Sequence, residues 1–160
     1  MQRTDKTNYY LDIADTVSAR ATCLRMRYGA IIVRNDEIIS TGYNGAPRGR
    51  RNCIDLGRCL RNEMKIPSGQ RYELCRSVHA EANAIISAAR RDCIGATLYL
   101  SGRVAPTNEI LGTATPCSMC RRMIINAGIT KVVCRTSENE YTVTDVRDWI
   151  FDDDSLNIQL

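Results

Sequence analysis

Ser77-Val78-His79-Ala80-Glu81-Ala82-Asn83-Ala84-Ile85-Ile86 holds the one histidine of a 160-residue chain. A carboxylate follows two positions later, and the alanine- and isoleucine-rich continuation predicts a helix over 79–91. Downstream, Pro116-Cys117-Ser118-Met119-Cys120 opens a second helical run over 117–127, with Gly128 placed to cap its C-terminus. Both runs therefore begin with side chains able to bind a metal.

Working outward from these runs, residues 8–24 read as an amphipathic helix with Tyr10, Ile13, Ala14 and Val17 on one face. Residues 29–33 and 38–43 are β-rich and flank Asn35-Asp36, which predicts a hairpin. Residues 44–49 carry glycine and proline and form a loop. The polar segment 53–70 holds a short helix over 56–64 and a turn at Pro67-Ser68-Gly69. Strands follow at 97–100 and 131–134, separated by a loop over 102–115 and the cysteine-headed helix. A last helix is expected over 143–151, then an acidic solvated tail at Asp152-Asp153-Asp154. A hairpin followed by helix–strand alternation argues for an α/β sheet with helices on its faces, in one domain spanning 1–160.

The apolar fraction of 44% and charged fraction of 25% are those of an ordinary globular protein. No apolar run approaches 18 residues, so no membrane span is expected. The N-terminus leads into no apolar segment of the secretory kind, which points to the cytoplasm. A net charge of +4 is low for a nucleic-acid binder, and none is expected as a partner. Arg48, Arg50, Arg51, Arg58 and Arg61 read as a solvated loop face. Eight cysteines in such a chain favour metal ligation over disulfides.

Zinc prefers nitrogen and sulfur ligands, and catalytic sites take three from the protein and leave a fourth position for water. His79, Cys117 and Cys120 supply that set. Cys117 and Cys120, three apart, share a helix face, and a helix N-terminus favours the thiolate. Pro116 suits a first turn, where its missing N–H leaves nothing unpaired. His79 and Glu81, two apart, converge only where a helix tip points into the site. A bound metal lowers the pKa of water to about 7, and a free carboxylate at Glu81 can act as base and then as acid. Singly, each part has an ordinary meaning: a structural histidine, a redox or structural Cys-x-x-Cys, a solvated helix charge. Their combination is the H-x-E…P-C-x-x-C signature of zinc deaminases.

With His79-Ala80-Glu81 and Pro116-Cys117-Ser118-Met119-Cys120, the chain resembles the cytidine deaminase-like superfamily. Residues 23–33 and 38–49, with Gly42-Tyr43-Asn44-Gly45, are similar to the deoxycytidylate (dCMP) deaminases, and the likeness runs from about Cys23 to Thr136. The resemblance implies a three-layer α/β/α fold around a mixed five-stranded sheet, often assembled as a homo-oligomer such as a hexamer. It implies catalytic zinc at His79, Cys117 and Cys120, with Glu81 as proton shuttle, converting dCMP to dUMP and ammonia for thymidylate synthesis. Substrate contacts would fall at Asn44, Ala80 and Pro116. Regulation by dCTP and dTTP would fall at the loop Tyr43-Asn44-Gly45. Some relatives carry a second, structural zinc at positions matching Cys23 and Cys53, and here Cys59 and Cys75 would complete four sulfurs. Cys93 and Cys134 are expected as ordinary buried thiols.

Two departures stand out. Relatives pass almost directly from the strand at 97–100 into Pro-Cys, whereas residues 102–115 intervene here. An aromatic that some relatives place after the strand at 131–134 is missing, leaving Arg135 and Tyr141 as replacements. The rival activities are a tRNA adenosine deaminase and another nucleoside or base deaminase. The rival of a different class is a non-catalytic zinc module that binds nucleotides. Gly42-Tyr43-Asn44-Gly45 and the modest charge weigh against the tRNA enzyme, and Glu81 weighs against a purely structural site.

Overall fold

The structure, a computed structural model, describes residues 1–153. Asp152 and Asp153 of the expected acidic tail are exposed, and Asp154 lies outside the described residues. In chain order the elements are α1 (Lys6–Ser18), β1 (Met26–Arg34), β2 (Glu37–Tyr43), α2 (Cys53–Leu56), α3 (Leu60–Glu63), α4 (Ala80–Ile86), α5 (Arg90–Cys93) and β3 (Thr97–Val104). They continue through α6 (Ser118–Ala127), β4 (Lys131–Arg135), β5 (Tyr141–Asp145) and α7 (Val146–Phe151).

The five strands form one mixed sheet in the order β2-β1-β3-β4-β5. β1 runs antiparallel to β2 and β3, β3 and β4 are parallel, and β5 returns antiparallel along β4. The β1–β2 hairpin closes through Asn35 and Asp36, both at positive φ (51° and 63°), the geometry that matches a tight turn to strand twist. Alternation along β1 divides the core. Ile31 and Val33 face Tyr10 and Ala14 of α1, with Tyr99 of β3 packed alongside. Ala30 and Ile32 turn the other way and pack with Leu98, Leu100, Ala80, Ala84 and Ile124. Each fully buried Leu or Ile contributes about 1.5–3 kcal/mol. Helices therefore cover both faces, α1 on one and α4 and α6 on the other.

Two glycines set the spacing of these layers. A Cβ on Gly29 would lie 1.9 Å from the Ala14 carbonyl oxygen, and one on Gly42 would lie 2.3 Å from that of Ala80. The backbones of α1 and α4 thus sit directly on the sheet where side chains are absent.

Several boundaries differ from the sequence expectation. The first helix stops at Ser18 because the chain then turns, and Thr22 N–H donates to the Asn44 carbonyl (3.1 Å). The expected helix over 56–64 is two single turns parted by Gly57 at φ 63°. The run 79–91 breaks after Ile86, where Ala89 is extended, and the break lets Cys93 and Ala96 turn back into the core. β3 continues to Val104, so the start of the expected 102–115 loop is strand. Residues 141–145 form an edge strand, with Asp145 capping α7 by accepting from Arg147 N–H (3.0 Å). Among the described residues no helix is long and apolar enough to cross a membrane.

Candidate active site

A single antiparallel bridge fixes where the histidine falls. Gly45 and Val78 exchange backbone hydrogen bonds of 3.2 and 2.8 Å, so His79 emerges at once beside the end of β2. There it becomes the N-cap of α4, with Ala80 and Glu81 in the first turn. Asn83, one turn on, donates to the Tyr43 carbonyl at 2.8 Å and ties α4 to β2. Cys117 is the N-cap of α6, and Cys120 lies one turn inside it. Parallel pairing of β3 and β4 carries α6 back beside α4, so two helix tips meet.

At that meeting His79 Nδ1 lies 3.5 Å from Cys117 Sγ and 3.4 Å from Cys120 Sγ. The three ligand atoms all fall within 4.8 Å of one another. A tetrahedral zinc with ordinary Zn–N and Zn–S bonds would separate nitrogen from sulfur by about 3.6 Å. The observed spacing matches, and three donors leave one position open. Among the described residues only this set brings three such atoms together.

Electrostatics agree with the geometry. Cys117 is drawn down to about 4 by the hydrogen bond from Cys120, with His79 adding to the effect against burial. That downward shift favours the thiolate, the form that binds a metal. Burial lowers the tendency of His79 to protonate, but its hydrogen bond with Cys117 and the Glu81 and Cys117 charges outweigh it, and its pKa rises. Glu81 is buried at 4% exposure, and burial pushes its carboxyl upward despite its contact with Cys120 and the nearby His79. A buried carboxyl shifted upward beside the three ligand residues is suited to take up and release protons.

A cavity of about 70 Å³ opens onto these groups, lined by Tyr28, Asn44, Ala80, Glu81, Thr115 and Cys117 among others. Asn44 is buried, its amide accepting from Tyr28 N–H (2.7 Å) and donating to the Met26 carbonyl (3.0 Å). Ala80 lies on the cavity wall, whereas Pro116 is fully buried and is not among the lining residues. Tyr43 and Gly45 face a different hollow of about 640 Å³, shared with Arg20, Arg48 and Arg50. Asn44 alone of the Tyr43-Asn44-Gly45 trio faces the cavity at the histidine. Cys23, Cys53, Cys59 and Cys75 line one small cavity together. Burial raises the Cys53 thiol, and the fields of the other three sulfurs add to it. Cys93 and Cys134 are buried thiols, as expected.

The residues at 102–115 form a hairpin arm. Arg103 bridges Ile110, Leu111 N–H donates to the Gly102 carbonyl (2.8 Å), and the descending limb delivers Thr115 to the cavity. Arg135 does not replace the missing aromatic: it is buried on the α1 side and paired with Asp12 at 2.6 Å. Tyr141 lies opposite it on β5 and is not among the residues lining the cavity. Tyr28 and Tyr72 supply the aromatic wall instead, Tyr72 meeting His79 edge to face at 4.7 Å. Neither was singled out from the sequence, because which aromatic rings wall the cavity is set by tertiary placement. Arg61 was also missed: it is buried at 6% exposure, whereas Arg58 beside it is solvated.

The family model for the cytidine and deoxycytidylate deaminase zinc-binding region matches residues 4–136. The deoxycytidylate deaminase of Mycobacterium phage D29 is 37% identical over 137 residues, 83% of this chain and 96% of that protein. That of Schizosaccharomyces pombe is 33% identical over 132 residues, 82% of this chain but 37% of its own length. The crystal structure of the dCMP deaminase from cyanophage S-TIM5 in complex with dCMP and dUMP superposes with a TM-score of 0.56 at 26% identity, covering 84% of each chain.

Proposed function

The chain belongs to the cytidine and deoxycytidylate deaminase zinc-binding family, and on that premise we propose that it deaminates dCMP hydrolytically to dUMP and ammonia. The observation that carries this reading is the sole histidine meeting two cysteines at facing helix tips, with the buried Glu81 beside them. Similarity over nearly the whole of the phage D29 deoxycytidylate deaminase selects the substrate.

His79, Cys117 and Cys120 would hold the zinc, which when bound supplies a hydroxide-like nucleophile at neutral pH. Glu81 takes the proton released by the attacking water and delivers it to the ring nitrogen. It would then take the proton of the newly attached hydroxyl and pass it to the amine, so the C–N bond breaks, ammonia leaves and a carbonyl remains. Ala80 and Asn44 bound the space for the pyrimidine and sugar, and Pro116 backs the metal-binding turn rather than touching substrate. The cavity that opens onto the metal-binding residues is where the reacting amine and water would meet Glu81.

Three finer features belong to the same reading. The hollow at Tyr43 and Gly45, with three arginines around it, suits a nucleoside triphosphate such as dCTP or dTTP. Cys23, Cys53, Cys59 and Cys75, which line one small cavity, would hold a second, structural zinc. Exposed Ile86 and Ile94 on the α4–α5 side suit a homo-oligomer, a hexamer being the reading from sequence. One domain in the cytoplasm, where its nucleotide substrate is found, carries this activity.

The test is a panel of dCMP, deoxycytidine, cytidine and an adenosine-bearing anticodon hairpin, scored by ammonia release with and without dCTP. Preference for dCMP supports the reading. Turnover of the hairpin alone would replace it with the tRNA activity, and no turnover of any substrate would favour a binding module.

A further inference from the structure

Arg61 is an anomaly in the active-site wall. At 6% exposure it is among the few buried charged side chains, and none of the ion pairs among the described residues includes it. Its Nε donates to the Gln70 carbonyl (3.1 Å) and its Nη2 to the Pro67 carbonyl (3.0 Å). A guanidinium carries five N–H donors, so most of its capacity is free of these two bonds. Its remaining contact is the face of Tyr72, 4.6 Å from the guanidinium carbon to the ring centre.

A buried cation without an anion is costly, and the cost is met where a charged ligand completes the pair. The surroundings identify that ligand. Arg61 lines the same cavity as His79 and Glu81, separated from the imidazole by the single ring of Tyr72. Arg25 lines it too, and its guanidinium donates a long hydrogen bond (3.4 Å) to the Ile66 carbonyl. Hydroxyls come from Ser68, Thr115 and Ser77, and the Ser77 Oγ is buried with no partner. The one carboxylate of the lining is Glu81, at the metal end. The far wall is thus cationic and hydroxylated, one aromatic ring from the reacting centre, the pattern that accepts a phosphate bidentately.

We propose that Arg61, seconded by Arg25, binds the 5′-phosphate of the substrate and makes this enzyme selective for a nucleoside monophosphate over the free nucleoside. The inference rests on the deaminase reading above. Engagement of the phosphate also draws on the segment holding Pro67 and Gln70, since those carbonyls now occupy part of the fork.

The experiment compares dCMP with deoxycytidine for the zinc-loaded wild type, Arg61→Gln, Arg61→Lys and the exposed neighbour Arg58→Gln, with metal content measured for each. Arg61→Gln should lose roughly 10- to 100-fold in kcat/KM for dCMP, mostly through KM, and hold its deoxycytidine turnover within about 2-fold. Arg61→Lys should fall between, and Arg58→Gln should match wild type. Equal losses on both substrates would make Arg61 a structural brace and overturn the proposal. So would a dCMP preference that survives Arg61→Gln. Should Arg61→Gln fail to fold or to hold metal, Arg61→Lys on the same two substrates decides by the same ratio. A wild type without preference for dCMP would instead fail the dCMP reading itself, before any variant is compared.

Discussion

His79 and Cys117 are each the N-cap of a helix, and the two caps face one another with Nδ1 3.5 Å from Sγ. Each cap residue leaves the helical geometry, which is why its side chain can lean across the gap rather than along its own helix. Replacing Cys117 by alanine removes one of three ligands without disturbing buried apolar packing. The variant should lose bound zinc and all measurable ammonia release while keeping its far-ultraviolet circular dichroism. Chelation of the wild type should do the same and be reversed by adding zinc. Zinc bound tightly by Cys117→Ala would mean that the ion sits elsewhere.

Glu81 offers a cleaner separation of metal from chemistry. Glutamine keeps the shape of the buried side chain but cannot relay a proton. Glu81→Gln should retain one zinc at the site and slow deamination by roughly 10²–10⁴-fold, the usual contribution of a general acid–base group. Metal analysis together with ammonia release checks both halves. Full turnover in the variant would remove the shuttle role.

Much of this site was legible from residues because its parts are chemically singular. One histidine, one carboxylate two positions on and a Pro-Cys-x-x-Cys leave few ways to assemble a metal centre, and the facing helix tips follow from the spacing. The sheet was legible for a similar reason: the Asn35-Asp36 turn fixes the hairpin, and β-rich runs mark most of the strands. The hidden parts depend on tertiary placement. Burial of Arg61 and solvation of Arg58 come from how α3 turns after Gly57, and local sequence treats the two arginines alike. The edge strand Tyr141–Asp145 carries mostly exposed side chains and so lacks the apolar alternation that announces a half-buried strand. The break after Ile86 is imposed by the core, against the helical propensity of Ser87-Ala88-Ala89.

The layer spacing predicts a steep contrast between glycines. A Cβ at Gly29 would strike the Ala14 carbonyl oxygen at 1.9 Å and the Ser18 nitrogen at 2.6 Å, both backbone atoms of α1 that cannot rotate away. Gly29→Ala should therefore cost about 3 kcal/mol or more, a fall in Tm of roughly 10 °C for a chain of this size. Gly49 has open space around its Cβ position and only a positive φ of 85° to penalise alanine. Gly49→Ala should cost about 1 kcal/mol. Thermal unfolding of the two variants in parallel checks the pair, and similar losses would mean that α1 is not seated on β1 as described.

Asp15 and Arg103 join α1 to the end of β3, at the base of the arm, through two bonds, Nε at 2.8 Å and Nη2 at 2.7 Å, and Ser101 adds a third at 3.1 Å. Burial alone would raise the Asp15 pKa, but the Arg103 bonds and charge outweigh it and hold it below the ordinary 3.8. A carboxylate depressed in the folded state stabilises the protein fully above its unfolded pKa and loses that contribution as pH falls through the folded value. Both side chains are largely covered, at 24% and 19% exposure, so solvent screens the pair only partly. Asp15→Asn should cost about 2 kcal/mol at neutral pH, between the values for exposed and fully buried pairs. Urea unfolding from pH 7 down to pH 3 should show the gap between wild type and variant holding steady to about pH 5. It should then narrow below about pH 4, as the wild-type carboxyl takes up its proton. A gap that stays constant across the whole range would assign the loss to packing and deny the ion pair its part in holding the arm that carries Thr115 to the cavity.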